Sequence, residues 1–312
     1  MTRQTPRVAI GLPIYNAERY LEAALDAILA QTLGDFELIV SDNASTDGTR
    51  DICEAYAARD RRIRYVRNAE NLGASRNFNQ AFRLGRAPYF KWAPYDDLVE
   101  PAFLERGVAV LDREPDAVLC YSRAVVIDER GRVVADYDPG PDASASRRDV
   151  RFRNLIRHPE YAIQLMGVMR TEALARTGLL GGFPSADEVL LAELALHGRF
   201  AEVPERLYRY RRHPEQSTRE PEQRRRVLFF DTSLAGKVVL PKWRYLGGCL
   251  AALRRAPLGA ADRWRCLAHV AGWAFVPAHA RALTKDLLIA VQQWTLRRIL
   301  RPSAATGSSP AA

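Results

Sequence analysis

Acidic residues stand at three places in this chain where a carboxylate can do chemistry. Asp42 ends a run of apolar residues, the pair Asp96 and Asp97 follows another such run, and Asp187 and Glu188 open a leucine-rich segment. Two adjacent carboxylates are hard oxygen ligands of the kind that a divalent cation requires. A single carboxylate at a strand end can instead accept hydrogen bonds from a ribose or a base. The residue types therefore suggest a nucleotide or cation site.

Each of these acids also has a structural interpretation. Asp47 and Thr49, close to Asp42, are typical of turns and helix caps, and we interpret those two in that way. The Asp96–Asp97 pair can cap the helix that follows it, and an acid in the first turn of a helix, as Asp187 is, most often stabilises the helix dipole. The acids alone leave these alternatives open.

The elements that must position the acids follow from hydrophobic periodicity. Residues 8–12 alternate as a strand does, residues 18–31 carry an apolar stripe at helical spacing, and residues 36–40 form a continuous apolar strand. Together they predict a βαβ unit of a mostly parallel sheet, a class of sheet that binds ligands at the carboxyl ends of its strands. Asp42 falls at such an end.

The same reasoning predicts the other elements. Strands are expected at 63–66, 89–92, 118–121, 124–128, 133–137, 164–169, 200–204 and 207–210, the last two as edge strands. Helices are expected at 49–60, 74–84, 101–112, from 152, from 170, from 186, and at 227–240, 245–255, 264–275 and 280–300. No GxGxxG or GK[ST] loop follows the first strand, so a phosphate-binding loop of those types is excluded.

Four motifs occur in order over about the first 100 residues. They are LPIYN from Leu12, SDNASTDGT from Ser41, NLGASRN from Asn71, and the Asp96–Asp97 pair. Together they resemble a family 2 glycosyltransferase. The resemblance implies the GT-A fold, in which helices flank a Rossmann-like, mixed but mostly parallel sheet, and it implies inverting transfer from a nucleotide sugar.

The resemblance also implies roles for residues. Asp97 would bind a divalent cation, Mn²⁺ or Mg²⁺, as part of a DXD-like motif, although Pro94 and Tyr95 replace the upstream acid that relatives often carry. Asp187 would be the catalytic base, with Glu188 as second choice, although Ala186 stands where Glu is common. The nucleotide would be bound by Pro13, Tyr15, Asn16, Asp42, Asn43, Arg76 and Asp96.

A cationic loop follows the last predicted strand. By the same resemblance, His213 would ligate the cation or donate to a phosphate, and Arg211 and Arg212 would neutralise the diphosphate.

Charge is distributed unevenly along the chain. The net charge is +9, but residues 223–301 carry 15 Lys and Arg against three acids, whereas residues 1–222 are close to neutral. The chain therefore divides into a catalytic domain at 1–222, with a nucleotide half at 1–100 and an acceptor half at 101–222, a basic helical region at 223–301, and a disordered tail at 302–312. Nucleic acid is not an expected partner.

The basic region has two interpretations of similar weight. It can be a helical cap on the catalytic domain, or an amphipathic surface that lies on anionic lipid. In the second case Leu283, Leu287, Val291 and Trp294 would form the apolar stripe. With no signal peptide visible, no apolar run of ~18 residues and four scattered cysteines, we expect a cytoplasmic protein, free or peripheral at the inner face of the membrane.

The sequence thus predicts a hexosyltransferase-type enzyme that uses a nucleotide sugar, with UDP favoured and dTDP or GDP still open. The acceptor would be a saccharide or lipid-linked saccharide of a cell-surface polysaccharide. The alternatives are a sugar-phosphate nucleotidyltransferase, which would need a glycine-rich basic loop after the first strand, and a non-catalytic nucleotide- or glycan-binding protein.

Overall fold

A computed structural model describes residues 5–137, 140, 143–157, 163–216 and 223–299 of the 312-residue chain. Its strands are β1 (Val8–Ile14), β2 (Phe36–Asp42), β3 (Ile63–Arg67), β4 (Tyr89–Trp92), β5 (Leu98–Val99), β6 (Ala117–Ile127), β7 (Val133–Tyr137), β8 (Val168–Arg170) and β9 (Arg199–Arg211). The predicted disordered tail, 302–312, lies outside the described residues, as do parts of the loop between β7 and the next helix.

The helices of the catalytic part are α1 (Glu18–Leu29), α2 (Thr49–Arg59), α3 (Ala74–Leu84), α4 (Phe103–Arg113), α5 (Arg148–Arg157), α6 (Thr171–Ala175) and α7 (Ala186–His197). Four more follow: α8 (Gln223–Phe230), α9 (Pro241–Arg255), α10 (Ala260–Ala274) and α11 (Pro277–Ile299).

The described strands form one mixed sheet in the order β3-β2-β1-β4-β8-β6-β9-β5, and β7 pairs with β6. Strands β1 to β4 pair with one another in parallel, and β4 pairs with β8 in antiparallel, which confirms the predicted βαβ start and the mixed fold class. All seven residues of β1 are buried because helices cover both faces of the sheet. The carboxyl ends of β1, β2 and β4 consequently meet at one edge.

Five predicted strands differ from the structure. The strands predicted at 118–121 and 124–128 are one strand, β6. The polar residues between them stay within the strand, because its register with β9 shifts near Ser122. Those predicted at 200–204 and 207–210 are also one strand, β9, which runs beside β6 instead of at an edge. The strand predicted at 164–169 is a 3₁₀ turn, Ile163–Met166, followed by the short β8.

The C-terminal helices share the apolar core of the catalytic part. Tyr245, Cys249 and Trp273 are buried in the same cluster as Leu190 and Phe152, so α9 and α10 cover α7 and α5. The helix predicted at 227–240 ends at Phe230, before a turn, and α9 begins at Pro241, a favoured first residue. The domain boundary at residue 222 stays a prediction. Within the described part of the chain, no helix is both long and apolar enough to span a bilayer.

Candidate active site

Two neighbouring cavities open at the carboxyl edge of the parallel strands. The strand-end cavity, about 390 Å³, is lined by residues that include Pro13, Tyr15, Asn43, Asn77 and Asp96. The α7 cavity, about 490 Å³, is lined by residues that include Ser185, Asp187, Glu188, Arg226 and Phe230. Six residues line both: Ala74, Phe78, Asp97, Met166, Tyr210 and Phe229. The acids predicted at 96–97 and at 187 therefore line two adjoining cavities.

Asp42 is fully buried at the end of β2, with both carboxylate oxygens bound to protein groups. One oxygen accepts from the Ser45 N–H at 2.9 Å and the Ser45 hydroxyl at 2.6 Å. The other accepts from the Tyr65 hydroxyl at 2.7 Å and lies 3.3 Å from Nε of Arg67. The carboxylate thus organises the loop after β2, and its neighbour Asn43, not Asp42 itself, lines the strand-end cavity.

Asn43 connects this loop to the NLG turn. Its amide donates to Oδ1 of Asn71 at 2.8 Å, and its own Oδ1 accepts from the Leu72 N–H at 2.9 Å. Asn16 connects the end of β1 to the loop after β2, since its Oδ1 accepts a hydrogen bond from the Thr46 N–H at 2.9 Å. Asn43 and Asn71 line the strand-end cavity, whereas Asn16 is not among its lining residues.

Arg76 lies in the first turn of α3 with an exposed side chain. It is not among the residues that line either cavity. Its contact with the nucleotide stays a prediction.

The two acids after β4 have different surroundings. Both oxygens of Asp97 accept hydrogen bonds, from the Tyr208 hydroxyl at 2.6 Å and the Arg211 N–H at 2.7 Å. Burial, with the Asp96 charge beside it, raises the pKa of Asp97, and these two donors oppose the rise. Asp96 is partly exposed, and its Oδ2 lies 3.0 Å from Nε2 of His213. The pair does not cap α4, because β5 separates it from that helix.

Arg211, the last residue of β9, and Arg212, which follows it, do not point into either cavity. The buried guanidinium of Arg211 donates to the carbonyl oxygens of Asp96, Asp128 and Glu129, so it ties the acidic loop to the β6–β7 turn. Its Nε and Nη1 atoms are thus engaged within the protein, and its role at a diphosphate stays a prediction. Arg212 is exposed and is not among the residues that line either cavity.

His213 is buried beside the acidic pair. Its Nε2 faces Asp96, its ring packs against Tyr20 with centroids 5.0 Å apart, and its Nδ1 has no partner among the described residues. The imidazole therefore presents one nitrogen to the carboxylate that the cavity exposes.

Asp187 and Glu188 lie in the first turn of α7, whose N-cap residue Ser185 has a φ of 67°, in the left-handed region. Burial raises the pKa of Asp187, opposed by the peptide N–H groups at the helix start. Burial and the nearby Asp187 charge raise the pKa of Glu188 to about 8. Carboxyl groups with raised pKa values in a cleft are suited to proton transfer near neutral pH.

Helix α8 is the part of the site that the sequence did not indicate. Phe229 lines both cavities, and Thr232 just beyond the helix donates to the Asn71 carbonyl at 2.8 Å. A Cβ at Gly73, where φ is +83°, would lie 2.7 Å from the carbonyl oxygen of Phe230. The glycine of the NLG motif thus lets α8 rest on this turn. In the sequence, the glycine of the predicted NLG turn was the only indication that another segment approaches this turn closely.

A comparison with protein families identifies the chain. Residues 9–178, more than half of it, match the model of glycosyl transferase family 2. The chain belongs to this family. An uncharacterised glycosyltransferase of Methanocaldococcus jannaschii is 31% identical over 136 residues, which are 43% of this chain and 47% of that relative. The match therefore spans about half of the relative's length.

Two solved structures show the same fold. S. aureus TarS 1–349 in complex with UDP-GlcNAc has a TM-score of 0.59 and 17% identity, over 86% of this chain and 72% of that one. The mannosyltransferase PcManGT of Pyrobaculum calidifontis, in complex with GDP-Man and Mn²⁺, has a TM-score of 0.51 and 20% identity, over 94% and 87%. At such identities the likeness concerns the family fold.

The acidic loop of this family 2 chain is compatible with a divalent cation. Among the described residues no group of three or more His, Cys, Asp and Glu side chains is arranged as a complete metal cage. Cations in nucleotide sites are usually held by one or two protein ligands together with phosphate oxygens. Asp96, with His213 3.0 Å away, fits that pattern better than Asp97, whose oxygens already accept hydrogen bonds.

Proposed function

We propose that this chain transfers a sugar from a nucleotide-sugar donor to a hydroxyl group of a saccharide or lipid-linked saccharide, with inversion at the anomeric carbon. One observation carries the proposal: Asp97 lines both cavities, Asp96 lines the strand-end cavity and Asp187 lines the α7 cavity. A donor and an acceptor can therefore meet there.

The strand-end cavity is assigned to the nucleotide. The motif residues Pro13, Tyr15 and Asn43 line it, and Asp96 lines it as well. Asp96 and His213 would hold Mn²⁺ or Mg²⁺, which when bound neutralises the departing diphosphate. Relatives of the same fold are described with UDP-GlcNAc and with GDP-Man, so the nucleotide stays open, and UDP remains our first choice.

The α7 cavity is assigned to the acceptor. Asp187 accepts the proton of the attacking hydroxyl while the acceptor oxygen bonds to the anomeric carbon from the face opposite the diphosphate. Because burial raises its pKa, Asp187 is a stronger base than an exposed aspartate. At neutral pH Glu188 is largely protonated, since its pKa is about 8, so it is the weaker candidate. A second carboxylic acid is not needed because the diphosphate is already a good leaving group.

The activity is tested by incubating the full chain with UDP-, dTDP- and GDP-sugars and Mn²⁺ or Mg²⁺, with nucleotide release as the readout. Release that increases on adding saccharide acceptors supports the proposal. Pyrophosphate release from a nucleoside triphosphate and a sugar phosphate would show a nucleotidyltransferase instead. Binding without turnover of any donor would show a non-catalytic binding protein.

We also propose that the basic C-terminal helices contact anionic lipid. The apolar stripe predicted on α11 is only partly confirmed, since Leu283 is buried whereas Leu287 and Val291 are exposed, and the side chain of Trp294 lies outside the described set. Two further aromatic residues, Trp264 on α10 and Phe275 directly after that helix, are 72% and 82% exposed. Such aromatic residues on a basic surface favour the membrane interface.

Point variants test this contact better than removal of 223–312, which would open the shared core. Flotation of the full chain with anionic vesicles is expected to fall in Trp264→Ser and Phe275→Ser, and to persist in the control Leu250→Ser on α9. Equal recovery of all four proteins with anionic and neutral vesicles would contradict the membrane contact and leave the cap as the role of these helices.

A further inference from the structure

A third cavity continues from the α7 cavity toward the C-terminal helices. It measures about 380 Å³ and shares Ser185 and Arg226 with the α7 cavity. Its remaining wall includes Lys242, Tyr245 and Lys285. It shares no lining residue with the strand-end cavity, so it lies on the side of Asp187 away from the proposed donor site.

Positive charge dominates this third cavity, which we call the basic groove. Arg226 comes from α8, Lys242 from α9 and Lys285 from α11, and among the described residues none of the three forms an ion pair. The groove also contains one acid, Asp286, which is buried and whose Oδ2 accepts from the Lys242 peptide N–H at 2.8 Å. That carboxylate is thus engaged at the start of α9.

The charges at the other end of the groove have the opposite sign. Asp187 and Glu188 lie past Ser185, and the cations of Lys242 and Arg226 are close enough to Glu188 to lower its pKa against the larger effect of burial. A ligand that spans the groove and the α7 cavity would therefore place negative groups among the cations and a neutral hydroxyl at the carboxylates.

We propose that the basic groove binds a phosphate group of the acceptor, so that the preferred acceptor is a phosphate-bearing saccharide chain or a lipid diphosphate-linked saccharide. This inference rests on the proposed transfer reaction. Three cations converging from three helices match the charge and the several oxygens of a phosphate ester. The saccharide next to the phosphate would extend past Ser185, which lines both the groove and the α7 cavity, to Asp187.

The test compares three acceptors that share one oligosaccharide: the neutral sugar, its phosphate monoester, and its polyprenyl diphosphate ester. With a donor that the enzyme turns over, kcat/KM is measured for each acceptor in wild type, Arg226→Ala, Lys242→Ala and Lys285→Ala. The matched control is Arg254→Ala, which removes an exposed cation of α9 outside the groove.

Wild type is expected to prefer at least one anionic acceptor. Because exposed charge pairs are individually weak, each groove variant should reduce that preference by up to about fivefold, mainly through KM. Arg254→Ala should keep it. The preference should also shrink between 0.05 and ~0.5 M salt, since the screening length falls over that range. A preference for the phosphate monoester would indicate a phosphate-bearing saccharide as acceptor, and a preference for the polyprenyl diphosphate ester would indicate a lipid-linked one.

Two results would overturn the inference while the transfer activity stands. One is equal use of neutral and anionic acceptors by wild type. The other is a loss in the groove variants that is the same for all three acceptors, or that Arg254→Ala reproduces. If no donor is turned over with any acceptor or with water, the proposed function itself fails, and the inference fails with it.

Discussion

The loop after β2 and the start of α7 each hold an acid, but Asp42 is fully buried and Asp187 is half-buried, and their surroundings differ. Asp42 accepts from Ser45 and Tyr65 and lies beside Arg67, so its charge is compensated. Asp187 has only peptide N–H groups at the helix start to oppose its burial, and its pKa is raised. An acid with several fixed donors organises a loop, whereas one with few donors facing a cavity can exchange a proton.

The largest effect is expected for Asp187→Asn. Removing the proton acceptor should lower kcat by about 10³-fold, since general bases contribute 10²- to 10⁴-fold. Donor binding, measured by calorimetry with the nucleotide and Mn²⁺, should stay within a factor of about two, because Asp187 lies outside the strand-end cavity.

Glu188→Gln is the matched control for that experiment. It keeps the volume and the helix start, and it should retain transfer at pH 7. If Asp187→Asn stays active and Glu188→Gln does not, Glu188 is the catalytic base and Asp187 is not.

The cation pair should have the next largest effect. Asp96→Asn or His213→Ala is expected to weaken Mn²⁺-dependent nucleotide binding roughly 10-fold or more, because a ligand or its orienting partner is lost. Binding measured with EDTA should change much less. A loss of the same size with and without Mn²⁺ would mean that the pair contacts the nucleotide directly.

Asp42→Asn should affect the stability of the fold more than the chemistry. The new amide would point a donor at groups that themselves donate, so the free energy of unfolding should fall by about 2 kcal/mol. Urea denaturation measures this, with Asp51→Asn on exposed α2 as the control. A variant as stable as wild type but with donor binding abolished would instead place Asp42 in direct contact with the nucleotide, as the sequence suggested.

The smallest effect is a displacement of the pH profile. The base must be ionised, so kcat/KM should fall as the pH falls through its pKa. Because burial raises the pKa of Asp187, this acid limb should lie above the usual aspartate range of about 3.9. A limb centred near pH 8, where Glu188 titrates, would assign proton abstraction to Glu188.

Much of the site could be predicted from local patterns. The strand–loop motifs at residues 12–16, 41–49 and 71–77 and the acids at 96–97 fall at strand ends, and strand ends of a parallel sheet meet at one edge. Periodicity also placed α3 and β4 at their observed bounds. It failed in β6 and β9, where single polar residues looked like chain breaks but are accommodated by register shifts between long paired strands.

Contacts between distant segments could not be predicted. Nothing in the sequence around Arg211 shows that its guanidinium is buried against three carbonyl oxygens, or that Tyr208 occupies one oxygen of Asp97. Helix α8, more than 140 residues after the NLG turn, rests on Gly73 only because the whole sheet brings them together.

The sequence by itself determined the family, the order of the first strands and helices, and the positions of the acids along them, because these depend on residue spacing within single elements. Only the tertiary structure decided which acids are compensated and which face open space. Burial and hydrogen-bond donors, which set a carboxylate's pKa and its freedom to react, come from neighbours that are remote along the chain.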